Sequence, residues 1–139
     1  MWSESDYQDD SVKEICYNCG SKTAKQSYNF FRRINYATRG KVWSKVWSKD
    51  GVPVAFYYAT RSKSHIRLIE IAVREEYQGQ GIGKKMLFRL HSRMKEHGMT
   101  TLTFRTPTNE QAQYFWLKMG ARITGLKDGD YEMELGIKI

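Results

Sequence analysis

The chain has 139 residues, 40% of them hydrophobic and 27% charged, which is the size and composition of one globular domain and excludes a disordered chain. No run approaches the ~20 apolar residues of a membrane-spanning helix, and the N-terminal MWSESDYQDD lacks the basic and apolar segments of a signal peptide. A cytoplasmic protein without membrane contact is therefore expected.

The formal net charge of +8 is unevenly divided. Residues 1–14 hold five acids (Glu4, Asp6, Asp9, Asp10, Glu14) against Lys13 alone, and read as a mobile acidic N-terminus. Residues 20–49 hold eight bases and no acid. Such a stretch is a solvated basic face, or it meets an anionic cofactor, an acidic protein or a nucleic acid.

Cys16 and Cys19 stand as Cys-x-x-Cys-Gly, the spacing of half a zinc ribbon or of a redox pair. His65, His91 and His97 lie far off with no paired spacing, and no thioredoxin-like strand–helix pattern surrounds the motif. The pair reads as structural thiols, and no metal is expected.

Residues 27–37 show weak helical spacing through Tyr28, Phe31 and Ile34. Next come two β-type runs, residues 42–47 and 52–60, joined by Ser48-Lys49-Asp50-Gly51, a hairpin signal. HIRLIEIAV (residues 65–73) is long and β-branched enough to be a largely buried strand. Ile82, Met86, Leu87, Leu90 and Met94 then recur at helical spacing until the stop signal His97-Gly98. A strand over residues 100–106 ends at Pro107. A second helix starts at Asn109 and closes at Gly120, and residues 121–126 and 131–137 form a final pair around a Lys127-Asp128-Gly129-Asp130 turn. This order implies an α+β (mixed α/β) sheet in which a βαβ unit bridges antiparallel strands.

Between the buried strand and the first clear helix lies EYQGQGIGKKML, with glycines at 79, 81 and 83. A P-loop is excluded, because Lys84 is followed by Lys85 and not by a hydroxyl residue, and the glycine spacing is wrong. A dinucleotide fingerprint is excluded too, because the glycines alternate and the next strand ends in Arg105 and Thr106 with no acid. What remains is a strand leading through a glycine turn into a helix. There, free backbone N–H groups meet the positive end of the helix dipole, a setting suited to phosphate.

At this point the sequence resembles a known family. IAVREEYQGQGIGKKML is similar to the acetyl-CoA-binding motif of the GNAT superfamily of N-acetyltransferases, here Gln78-Gly79-Gln80-Gly81-Ile82-Gly83, and NEQAQYFWLKMGA is similar to the family's Asn-x-x-Ala…Lys-x-Gly helix through Asn109, Ala112, Lys118 and Gly120. The resemblance covers roughly residues 42–137. It implies a GNAT-like domain over residues 15–139, with a twisted, mostly antiparallel sheet, a central βαβ unit and helices on both faces. It also implies that Ile71, Ala72 and Val73 pair by their backbone with the pantetheine arm of acetyl-CoA. Gln78 and Gly79 would belong to the same cofactor site, the amides around Gln80, Gly81, Ile82, Gly83 and Lys84 would hold the pyrophosphate, and Asn109 would lie near the pantetheine or thiol end.

The implied reaction is direct acetyl transfer to a primary amine, on a protein or peptide, which must lose a proton to attack. Glu70, the one acid between Gly51 and Arg74 and set in an apolar strand, is the candidate base. Strict alternation would put it on the face opposite Ile69 and Ile71. The tyrosine that serves as general acid in many members is replaced here by Trp116, which has no labile proton to give. Tyr114 is the candidate substitute, although it lies about 200° away around the helix.

Two other readings stand beside this one. One is a GNAT-like protein that binds CoA or a partner but transfers poorly. The other is a nucleic-acid or ribonucleoprotein module using residues 20–49 with Tyr28, Phe30, Phe31, Tyr36, Trp43 and Trp47. A monomer and a homodimer are equally compatible with the sequence.

Overall fold

The computed structural model describes residues 1–20, 22–37, 41–62, 65–108 and 110–136, with the side chains of 22, 23, 32–37, 107 and 110–112 set aside. The elements follow as β1 (Trp2–Ser5), α1 (Asp9–Tyr17), α2 (Lys22–Ala37), β2 (Val42–Lys49), β3 (Val52–Arg61), β4 (His65–Val73), a 3-10 turn (Glu75–Tyr77), α3 (Ile82–Glu96), β5 (Thr101–Pro107), α4 (Glu110–Lys118), β6 (Arg122–Lys127) and β7 (Asp130–Gly136). They build one seven-stranded sheet in the order β1-β2-β3-β4-β5-β7-β6.

Turn chemistry fixes the two hairpins. Asp50 and Gly51 take φ of 51° and 82°, and Asp128 and Gly129 take 54° and 83°. Two successive positive φ values are what a tight hairpin between right-twisted strands requires. Every strand pair is antiparallel except β4 with β5, which α3 connects as the βαβ crossover.

Helices cover both faces. On one, Ile82, Met86, Leu87, Leu90 and Met94 of α3 and Trp116 of α4 pack on Val54, Tyr57, Ile66, Leu68, Leu102, Phe104 and Met133. On the other, Val12, Ile15 and Cys16 of α1 and Ala24, Tyr28 and Phe31 of α2 pack on Val46, Phe56, Tyr58 and Ala72.

The N-terminus departs from expectation. Residues 1–14 are not a mobile tail: Trp2–Ser5 pairs with β2, and α1 buries Val12 and Ile15 completely. The acids that suggested mobility are tied down, Asp6 to Lys45 at 2.6 Å, Glu14 to Arg74, and Asp9 to the hydroxyl of Tyr28 at 2.6 Å. Helix α2 also begins five residues before the expected start, which puts Ala24, Tyr28 and Phe31 on one buried stripe.

Interior burial consumes most aromatics of the basic stretch. Tyr28, Phe31 and Trp43 are buried and Trp47 packs against the α3-face core, whereas Phe30 is exposed. Tyr36 falls among the side chains set aside. Among the described residues no row of exposed rings remains there for stacking bases.

Candidate functional site

Strand β4 organises the site. It pairs with β3 along its length, from Arg61↔Ile66 to Ala55↔Val73. Its pairing with β5 covers only His65↔Thr101, Ile66↔Leu102 and Arg67↔Thr103. Beyond Arg67 the strands part: β5 continues beside β7, and the β4 edge over 68–73 has no described strand partner. Backbone groups there that Glu70 and Gln78 do not already engage can pair with an extended amide-bearing ligand.

At the end of this open edge the chain enters the glycine loop. Gly79 and Gly81 take φ of 80° and 78°, a left-handed conformation that side-chain-bearing residues adopt at a cost. A Cβ built on either would meet nothing within 4 Å, so open space stands beside both. Gly81 caps α3 with no side-chain hydrogen bond, and the first helical bond is Lys85 N–H to Gly81 C=O at 3.1 Å. The amides of Ile82, Gly83 and Lys84 thus lie in the first turn, where an α-helix offers its N–H groups no internal acceptor. The uncapped turn, the open space at the glycines and the free strand edge together fit a pyrophosphate followed by a pantetheine arm.

Not every glycine or polar side chain of the motif serves that purpose. Gly83 has no positive φ, and an added Cβ would make an ordinary 3.7 Å contact with Val73. Gln78 is a clip: its side-chain amide donates to Cys19 C=O at 2.8 Å and to Val73 C=O at 2.9 Å. The α1–α2 connection is held to the same loop by Glu75 N–H donating to Asn18 C=O at 2.8 Å. Ile82 is buried, so its amide alone is available, and the Lys84 ammonium lies 5.8 Å over the ring of Phe88. Asn109 lies outside the described residues.

Glu70 is opposite Tyr58 in the β3–β4 register, and the next pair is Ala59↔Leu68. Ile69 is therefore an extra residue, a β-bulge. The bulge breaks the strict alternation expected of this strand. Ile69 packs with the α1/α2-face core, not opposite Glu70, while Ile71 and Val73 turn to the α3 side.

Burial raises the Glu70 carboxyl from its ordinary 4.5 to about 7, against hydrogen bonds from the Ser27 hydroxyl and the Ile71 amide that favour the charged form. Arg67 does not neutralise it, because the Arg67 guanidinium is committed to Glu132 of β7, with one bond at 2.9 Å. Cys16 is fully buried, and its thiol is pushed up to about 12, chiefly by burial and next by the nearby Glu70 charge. Cys16 and Cys19 are free thiols in the α1/α2 core, and no cluster of three metal-ligating side chains occurs among the described residues.

A cleft of about 610 Å³ opens at the wall formed by Cys16. Tyr17, Asn18, Gly20 and Lys25 line one side, and Arg74, Glu75 and Glu76 line the other. Sequence reasoning missed this cleft because it missed α1, although Val12, Ile15 and Cys16 at i, i+3, i+4 after Asp9 and Asp10 were a readable signal.

Tyr114 sits on the solvent side of α4, 64% exposed, while Trp116 is buried with its ring 3.9 Å from that of Phe104. The two residues point apart as their helical spacing requires, and no described contact joins Tyr114 to Glu70. Tyr57 and Tyr58, the two phenols of β3, are buried in the two cores.

A parallel-paired crossover, a strand edge left open beside it and a left-handed glycine loop suit a donor of the CoA type. The model of the acetyltransferase (GNAT) family matches residues 8–121, and the chain belongs to that family, whose acetyl donor is acetyl-CoA. No curated protein sequence matches the chain. Among solved structures, the ribosomal-protein-S18-alanine N-acetyltransferase from Escherichia coli superposes with a TM-score of 0.83 at 20% identity, covering 100% of this chain and 96% of that one. The PaiA N-acetyltransferase from Thermoplasma acidophilum, in complex with coenzyme A, gives 0.82 at 14% identity, covering 98% and 99%. Ard1 from Thermoplasma volcanium gives 0.82 at 18% identity, covering 99% of each. These likenesses show a shared fold. No helix among the described residues is long and apolar enough to cross a membrane.

Proposed function

We propose that the chain acts as one acetyltransferase domain, β1 and α1 included, working in the cytoplasm, that moves acetyl from acetyl-CoA to a primary amine of a protein or peptide, with Glu70 as the base. The observation that carries this reading is the position of Glu70. Its carboxyl, with a pKa of about 7, stands on the strand whose free edge and glycine loop suit the donor. The likeness to an enzyme named for ribosomal protein S18 supports a protein acceptor. A basic chain also suits an acidic or nucleic-acid-associated protein segment better than a polycationic amine.

Bound acetyl-CoA supplies an activated acetyl thioester. Ile71, Ala72 and Val73 would align the pantetheine arm along the β4 edge, and the amides over 80–84 would hold the pyrophosphate. The ionised Glu70 carboxylate takes the proton from the amine, directly or through one water, so that the nitrogen lone pair is free to attack. The Cys16-walled cleft, on the Glu70 side of the sheet, is the route proposed for the acceptor. Tyr114, exposed and not engaged in any described hydrogen bond, is the proposed donor to the departing thiolate, with Asn109 near the same end.

The test is turnover of labelled acetyl-CoA with three acceptor sets: peptides with free N-termini, N-blocked lysine peptides, and small amines. Transfer to either peptide set, lost in Glu70→Gln with donor affinity unchanged, is expected. Donor binding with no transfer to any acceptor would instead support the CoA- or partner-binding reading.

A further inference from the structure

Helix α2 delivers a hydroxyl to Glu70. The ring of Phe31 on this helix stacks on that of Tyr58, with centroids 4.7 Å apart and planes 21° apart. The Tyr58 hydroxyl donates back to the Phe31 carbonyl at 3.5 Å, and Tyr58 is the cross-strand partner of Glu70. Ser27 lies one turn before Phe31, four residues earlier on the same helix face. The contact that seats Phe31 on Tyr58 therefore also sets Ser27 beside Glu70. Ser27 is half-buried, and its hydroxyl is hydrogen-bonded to the Glu70 carboxyl.

Among the described residues no cation is bonded to that carboxyl. On α1 the near group is Cys16, a neutral buried thiol, and Glu14 is tied to Arg74. On α2 the Lys25 ammonium lies over the Tyr17 ring at 5.2 Å, and the Tyr28 hydroxyl donates to Asp9. On β3 burial pushes the Tyr58 phenol up to about 12, and Tyr7 packs edge-on against it with its own hydroxyl on Asp9. On β4 itself Arg67 is held by Glu132, and Arg74 by Glu14 and Glu76. The described polar partners of Glu70 are thus the Ile71 amide and the Ser27 hydroxyl. An amide N–H only donates, so it grips the carboxylate alone. A hydroxyl both donates and accepts, and it can follow the carboxyl from one protonation state to the other. A general base passes through both states in every turnover.

We infer that Ser27 is a positioning residue for the transfer, its hydroxyl holding the Glu70 side chain in one orientation whether the carboxyl is ionised or protonated. This role rests on the proposed reading of Glu70 as the base. The bond is stronger to the carboxylate than to the acid, so its loss also raises the proton affinity of Glu70.

Two measurements on the full chain test the role, with thermal melting to confirm that each variant folds. The first is the pH profile of turnover with labelled acetyl-CoA and the peptide set that accepts acetyl, for wild type, Ser27→Ala and Ser27→Thr. Loss of one hydrogen bond to a charged group corresponds to about one pH unit. In Ser27→Ala the rising limb should therefore move from about 7 to about 8. At pH 7 its kcat should fall about fivefold or more, with KM for both substrates within about twofold of wild type. Ser27→Thr keeps the hydroxyl and should restore both limb and rate. A limb that stays in place in Ser27→Ala overturns the role, and so does an equal loss at every pH that Ser27→Thr does not rescue. The second measurement needs no turnover: a carbon-13 titration of the Glu70 carboxyl in the substrate-free chain, assigned with Glu70→Gln. Its midpoint should rise by about one unit in Ser27→Ala and return in Ser27→Thr. An unmoved midpoint while Glu70→Gln is inactive sinks the role of Ser27 alone. Turnover that survives in Glu70→Gln with its pH limb intact sinks the base reading, and the role of Ser27 falls with it.

Discussion

In the proposed function, the two sides of β4 recognise their ligands by different means. Toward the open edge and α3, the working groups belong to the main chain: free strand amides, the first turn of a helix, and glycines whose value is the side chain they lack. Toward α1 and α2, the working group is one carboxyl, and its environment is made of side chains from three elements, Tyr58, Ser27 and Cys16. A main-chain site tolerates most substitutions but fails when a Cβ intrudes. A side-chain site fails on a single functional atom and responds to pH.

Substitutions separate the two sides. Glu70→Gln should have the largest effect, lowering kcat by about 10²- to 10⁴-fold, the usual contribution of a general base, with donor affinity unchanged by titration. In the wild type, kcat should rise with pH through about 7 as Glu70 ionises, and the variant should lack this limb. Stability runs the other way. Between pH 4.5 and 7 the native chain holds a proton that the unfolded chain has released, so stability falls as pH rises across that window and levels off above it. The fall is on the order of 3 kcal/mol, and denaturant melts of Glu70→Gln should not show it.

Next in size, Gly81→Val should weaken acetyl-CoA by about a hundredfold, the loss of roughly 3 kcal/mol of charge-assisted amide bonds, with the pH limb of residual turnover retained. A smaller effect is expected of Gln78→Ala, which removes the clip to Cys19 and Val73 and should cost about 1–2 kcal/mol in denaturant melts. Gly83→Ala should do least. With no positive φ and an ordinary contact at Val73, it should match or exceed wild-type stability by up to about 1 kcal/mol. A Gly83→Ala chain as impaired in donor binding as Gly81→Val would break the distinction between the two glycines.

The same division explains what could be read before the structure. The Asp-Gly hairpins, the β4 strand, the α3 stripe and the glycine loop are local signals, each decided by a few neighbouring residues, and each came out in place, although most of β4 is half-buried and not buried as expected. The N-terminal third depends on partners far away. Trp2–Ser5 has no apolar alternation and becomes a strand only because β2 offers an edge, and the acids of residues 4–14 find bases at 45, 74 and 89. The face chosen by Ile69 was likewise hidden, because a bulge is a property of two strands in register. Gln78 was legible as a motif residue, but not its grip on Cys19, 59 positions earlier.

The parting of β4 from β5 also bears on how the molecule avoids its own kind. A long unpaired strand edge normally recruits a neighbouring chain and starts aggregation, and proteins blunt such edges with charge, bulges or cover. Here the free edge lies inside the sheet, with β5 and β7 of the same molecule beyond it and a bulge at Ile69. A second protein strand would have to enter an interior notch to use it, whereas a slender amide-bearing chain can lie along it. The edge proposed for the donor is thus screened from other copies of the protein by its own strands.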